Sequence, residues 1–191
     1  MTADLVGLFA RAVDGFGRRF EAIGPDQWGA PTPDAEWDVR LLANHVLVEG
    51  LWAPPLLDGL TIADIGDRFD GDQLGDDPQA TWRAASAAAI AAVRRDGALD
   101  GSVHVSFGDI PATEYVTQVL CDHVIHSWDL SRGIGADDQL DDDLVEFAWA
   151  YFEPNAEAWR AGGSFGPKVE LPPGADLQSR LLALTGRRPR P

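Results

Sequence analysis

Apolar residues along the first part of the chain recur at steps of three and four. Leu5, Leu8, Phe9, Ala12, Val13, Phe16 and Phe20 follow this rule, which predicts a helix over residues 3–23 closed by Gly24-Pro25. A loop rich in Pro, Asp and Trp covers 25–37. Asp38 suits the N-cap of a second helix running to about Leu57. Leu42, His45, Val46, Glu49 and Ala53 share one face of it, and Pro54-Pro55 should kink or end it. The stretch 58–77, DGLTIADIGDRFDGDQLGDD, is acidic, Gly-rich and long for a connection inside a compact domain.

The third helix is read from PQATWRAASAAAIAAVRRDG, with Pro78 in its first turn, Arg94-Arg95 in its last and Gly97 beyond. In SVHVSFGDIPA, alternation of Val103, Val105 and Phe107 predicts a short extended segment or hairpin, with His104 exposed on the opposite side. A fourth helix is expected over Ala112–Arg132, ending before Gly133. A shorter fifth fits Asp141–Phe152, its acidic start matching the helix dipole, and 153–160 continue as helical. The tail from Ser164 reads as an extended part, a turn or two of helix and a frayed basic end.

This pattern predicts an all-α fold, a four-helix bundle with a long crossover between helices 2 and 3. Residues 1–160 would form the bundle and 161–191 a C-terminal extension packing on it, within one domain. The crossover lets the third helix run parallel to the second.

The net charge of −16 changes the picture by exclusion. It repels phosphate backbones and anionic lipid, so no nucleic-acid or membrane partner is expected. The single cysteine, Cys121, reads as a buried inert thiol and fits a reducing compartment. With no signal-peptide pattern and no apolar run of about 18 residues, the expected location is cytoplasmic.

The stretch LCDHVIHSWDL, residues 120–130, places four ionisable groups in an apolar helix. Tyr115, Val119, Asp122, His126 and Asp129 follow steps of four, three, four and three, so they share the inward face. His45 and Glu49 sit one turn apart on the inward face of the second helix. Burying such groups costs several kcal/mol unless they are paired or bound to metal. One imidazole from one helix and an Asp-x-x-x-His pair from another make a three-ligand set for Zn²⁺, with Ni²⁺ or Fe²⁺ as alternatives, and an open position for water or substrate. The same residues could simply pair with each other, and spacing alone leaves both readings open. Glu49 and Asp129 are placed behind the ligands and His123 at the boundary of the face. Trp28, Trp37 and Trp52 are read as packing residues. No nucleotide-binding glycine loop, Cys-x-x-Cys or nucleophile elbow is present.

WDVRLLANHVLVEGLW (37–52) and VHVSFGDIPATEYVTQVLCDHVIHSWDLSRGIG (103–135) resemble the DinB-like superfamily of metal-binding helix bundles. They look most like the N-terminal domain of mycothiol-dependent maleylpyruvate isomerase and a family of uncharacterised actinobacterial metal-binding proteins. The tail FGPKVELPPGADLQSRLLALTGRRP is similar to that family too. The resemblance implies a zinc held by His45 and His126. Asp122 stands where the family has Glu, one methylene longer, so a direct bond from it would need a helix shift or a bridging water. The chain leaves no length for the isomerase's separate C-terminal domain, which argues against maleylpyruvate isomerisation itself. What the resemblance implies instead is a metal-dependent S-transferase or isomerase using mycothiol or a similar small thiol as co-substrate. The expected partners are that thiol or another small-molecule substrate, and a homodimer. Arg40 and Arg132 are candidate anion anchors; no catalytic residue can be named. The alternatives are a non-catalytic metal- or ligand-binding protein and a structural bundle with paired His and Asp.

Overall fold

The computed structural model describes residues 2–189; the last two residues of the basic tail lie outside the described residues. The fold is mostly helical with one two-stranded hairpin. Its elements in order are α1 (Thr2–Glu21), α2 (Val39–Leu57), α3 (Ile62–Ile65), α4 (Pro78–Arg94), β1 (Ser102–Val105), β2 (Gly108–Pro111), α5 (Ala112–Ile134), α6 (Asp142–Phe152), a 3₁₀ turn (Glu153–Asn155), α7 (Ala156–Ala161) and α8 (Leu177–Leu184).

The predicted apolar stripe of α1 is buried from Leu5 to Phe20. Asp38 caps α2, its carboxylate accepting the Leu41 N–H at 2.8 Å. Pro54 and Pro55 do not end that helix, because they fall in its last turns. Their carbonyls accept the N–H groups of Asp58 and Leu60, so the helix closes normally after Leu57.

α1 packs on α5 and α4, and α2 on α4 and α5. The contacts fix the directions. Gln79 donates to the Phe20 carbonyl and Trp82 packs on Phe16 and Phe20, so α4 runs against α1. Arg95 reaches Asp58 at 2.5 Å, while the N-terminal half of α2 is tied to residues 71–75, just ahead of α4. Thus α2 and α4 are parallel, as the crossover requires. The crossover itself is pinned: Thr61 and Asp64 form a capping box on α3, Asn44 holds Gly71 and Gln73, Arg40 grips Asp72, and Leu74 is fully buried.

The hairpin is antiparallel, with Val103 opposite Ile110 and His104 opposite Asp109. His104 is exposed and its Nδ1 meets Asp109 Oδ1 at 2.7 Å. Among the described residues no helix is long and apolar enough to cross a membrane.

Two expectations need correction. α5 does not end before Gly133; it continues to Ile134 and turns at Gly135, which has φ 71°. Gly133 is instead a contact glycine, since a Cβ there would lie 3.0 Å from Val39 Cγ2 and 3.3 Å from Thr32 Cγ2. The basic tail is not frayed at Arg187. Gly186 has φ 93° and the Arg187 N–H reaches back to the Leu182 carbonyl at 2.8 Å, a Schellman closure of α8 that turns Arg187 inward.

Gly133→Ala is therefore expected to destabilise by about 1–3 kcal/mol through overpacking, despite the better helix propensity of Ala. Gly7→Ala, at an exposed site in α1 with open space around it, is expected to stabilise by about 0.5–1 kcal/mol. Urea denaturation of both variants tests the pair; equal effects of the two would refute the contact assigned to Gly133.

Candidate metal centre

α2 runs against α5, and His45 on α2 meets Asp122 and His126 on α5. Asp122 stands between the imidazoles: its Oδ2 is 3.3 Å from His45 Nε2 and its Oδ1 is 3.3 Å from His126 Nε2. One donor atom from each residue lies within 4.8 Å of the others. Donors about 2.1 Å from a common ion in tetrahedral geometry are roughly 3.4 Å apart; each imidazole has one carboxylate oxygen at about that distance, and the three-residue set holds to within 4.8 Å. Asp122 Oδ2 is buried and, among the described residues, has no hydrogen-bond partner, His45 Nε2 standing beside it at 3.3 Å.

Behind this set, Asp129 is wholly buried. A carboxylate only accepts, so the proton sits on His126 Nδ1, which donates to Asp129 Oδ2 at 3.0 Å. That bond aims Nε2 at the His45/Asp122 side, the arrangement in which a carboxylate orients a metal-binding imidazole. Arg187 neutralises Asp129 through Nη2 at 2.8 Å and Nε at 3.3 Å. Burial works against the charged form of His126, but Asp122 and then Asp129 outweigh it and push its pKa up to about 9. Burial likewise opposes the Asp122 carboxylate, yet His126 and His45 hold it well below its usual range. Glu49 is pushed up to about 7 by burial and by the Asp122 charge.

The face opens to a cavity of about 750 Å³. His45, Asp122, His126, Glu49, Tyr115 and Val119 line it, so the face read from helical spacing is the face that meets the cavity. Trp28, Trp37 and Trp52 pack against the core as expected, and Trp37 and Trp52 also line the cavity. The Trp37 ring lies 4.6 Å from His45 and 5.5 Å from His126. Neither Arg40 nor Arg132 lines this cavity. Arg40 pairs with Asp72 and stands over Trp28, while Arg132 lies 3.4 Å from Asp138 and over Trp128. The cation that does reach it is Arg187, for which the signal was the Gly after an apolar helical run in LLALTGR.

His123 is no boundary residue. It is buried among Phe9, Phe16 and Trp82, donates Nδ1–H to the Val119 carbonyl at 2.8 Å, and burial lowers its pKa to about 4. Cys121 is buried and its thiol pKa is raised by burial, so it is inert as expected.

With this geometry in place, comparison with known proteins adds a family. Residues 9–131, more than half of the chain, match the model of the mycothiol maleylpyruvate isomerase N-terminal domain. Two uncharacterised proteins of Mycobacterium tuberculosis, from strains CDC 1551 / Oshkosh and H37Rv, are each 27% identical over 145 residues, covering 71% of this chain and 70% of the relative. No solved structure matches the chain significantly.

Two outcomes follow for the metal-free protein. Arg187→Met leaves Asp129 buried without its cation and is expected to cost on the order of 3 kcal/mol in urea denaturation; an unchanged midpoint would refute the role given to Arg187. The raised pKa of His126 means that its stabilising charge is fully present below its ordinary value near 6.5 and is lost as pH rises through about 9. The Tm should therefore fall between pH 6.5 and 9, and His126→Gln should flatten that slope.

Proposed function

The chain belongs to the mycothiol maleylpyruvate isomerase N-terminal domain family, and on that premise we propose that it is a DinB-like four-helix-bundle protein that binds a divalent metal and activates a small thiol of the mycothiol type. The reaction class is S-transfer or isomerisation. Residues 161–191 belong to the same domain, a reading supported by the tie between Arg187 and Asp129. The observation that carries the metal assignment is the Asp122 carboxylate, placed between two imidazole Nε2 atoms at ligand spacing with one oxygen unpartnered.

In this reading His45, Asp122 and His126 hold the ion, and the nitrogen- and oxygen-donor set suits zinc, with nickel or iron as alternatives. Bound there, a divalent cation lowers the pKa of a thiol that reaches its open side, giving a nucleophile near pH 7. The rest is done by the chain. Asp129 fixes the His126 tautomer, Arg187 keeps Asp129 ionised, and Trp37 covers both imidazoles and limits water. Glu49 and Tyr115 are polar groups on the cavity wall available to a substrate. The aromatic cavity favours a protein that takes a small molecule over a purely structural bundle.

Elemental analysis of untagged protein purified without chelator is expected to give about one equivalent of metal, and His45→Ala, Asp122→Ala and His126→Ala are expected to lose it. At a metal concentration 100 times Kd, binding adds about 2.7 kcal/mol of stability, read as a rise in Tm absent from the variants. Full occupancy in all three would refute the ligand set. Turnover of an electrophile only when both metal and mycothiol are present would establish catalysis; metal without turnover would leave a binding protein.

A further inference from the structure

The substrate's charge is written on the walls of the same cavity. Four carboxylates line it: Asp34 and Glu36 from the loop before α2, Glu49 from α2 and Asp122 from α5. Among the described residues its one guanidinium, Arg187, is engaged by the buried Asp129, and its imidazoles, His45 and His126, face Asp122. The remaining surface is largely aromatic. Trp37 lies beside the imidazoles, Trp52 projects from α2, Trp159 and Phe165 stack on each other at 5.9 Å, and Phe107 stands at the hairpin turn with 70% of its surface exposed. Phe107 adds little to the core, so its place at the cavity is best explained by what enters. At the floor, the Tyr115 hydroxyl is buried and, among the described residues, has no hydrogen-bond partner, although the residue is only 5% exposed.

We infer that this cavity selects an aromatic- or apolar-bodied small molecule that carries no negative charge, neutral or cationic, whose polar atom pairs with the Tyr115 hydroxyl. The inference rests on reading the cavity as the substrate site of the proposed centre. The physical grounds are direct. An anionic substrate entering the metal-free cavity would meet the carboxylates of Asp34 and Glu36, while Arg187 and His126 are already engaged by Asp129 and Asp122, and like-charge juxtaposition costs several kcal/mol. Aromatic faces beside carboxylates favour a neutral ring by stacking and a cation by charge–quadrupole attraction.

The test uses full-length metal-free protein, so that a carboxylate cannot gain by binding a metal. Isothermal titration calorimetry compares 2-naphthylmethylamine, 2-naphthamide and 2-naphthoate, which share a ring system and differ in charge. The amine and amide are expected to bind, with naphthoate at least about tenfold weaker. The Asp34→Asn/Glu36→Gln variant, at loop positions outside the core, should narrow that gap, and Tyr115→Phe should weaken the amide while sparing the circular dichroism spectrum. Naphthoate binding as tightly as the other two, or no binding by amine and amide, would overturn the inference. The result is independent of elemental analysis. A chain without metal that ranks the probes as stated removes the metal reading alone, and a metal-loaded chain whose metal-free form prefers naphthoate removes the charge selection alone.

Discussion

A carboxylate with no exposure to water has to be answered from within the protein, and Asp129 is the constraint on which the site depends. Its answer comes from two directions, the Nδ1–H of His126 one turn back along α5 and the guanidinium of Arg187 from the end of the chain. Leaving either out would strand a charge in the core at a cost of several kcal/mol. The consequence is structural and chemical together. The C-terminal segment must close on α5, and His126 must present Nε2 to the far side, where His45 and Asp122 are.

Much of the architecture was legible because it is periodic. The α1 stripe, the Asp38 cap, the alanine-rich α4 and the alternation of the hairpin each have a local cause in a few neighbouring residues. What was not legible depended on distant ones. Gly133 reads as a helix stop, yet it lies inside α5 because Val39 and Thr32 come too close for a side chain. The stop belongs to Gly135. Likewise Arg187 reads as part of a frayed basic tail, and only the fold reveals the buried acid that draws it in.

The candidate site divides in the same way. Spacing on two helices was enough to bring His45, Asp122 and His126 to one face, since a step of four residues on a helix is a geometric certainty. It could not tell which side of α5 is core. His123, three residues before His126, lies among Phe9, Phe16 and Trp82 and is held neutral, whereas His126 faces carboxylates and is held charged in the absence of metal. The aromatic residues of the cavity were invisible as a group because they come from the loop before α2, α2 itself, the hairpin, and the segment after α6. Each alone has the look of a packing residue.

The remaining choice, between paired residues and a metal centre, can be weighed within this one molecule. Two other His–Asp contacts show what pairing looks like here: His104 closes on Asp109 at 2.7 Å in the open hairpin, and His126 on Asp129 at 3.0 Å in the core. Asp122 has two imidazoles beside it and closes on neither, standing 3.3 Å from each, with one buried oxygen unpartnered. Each imidazole faces its own oxygen, as in a carboxylate that bridges two helices; the wider contacts and the unpartnered Oδ2 support the metal reading, and metal content decides it.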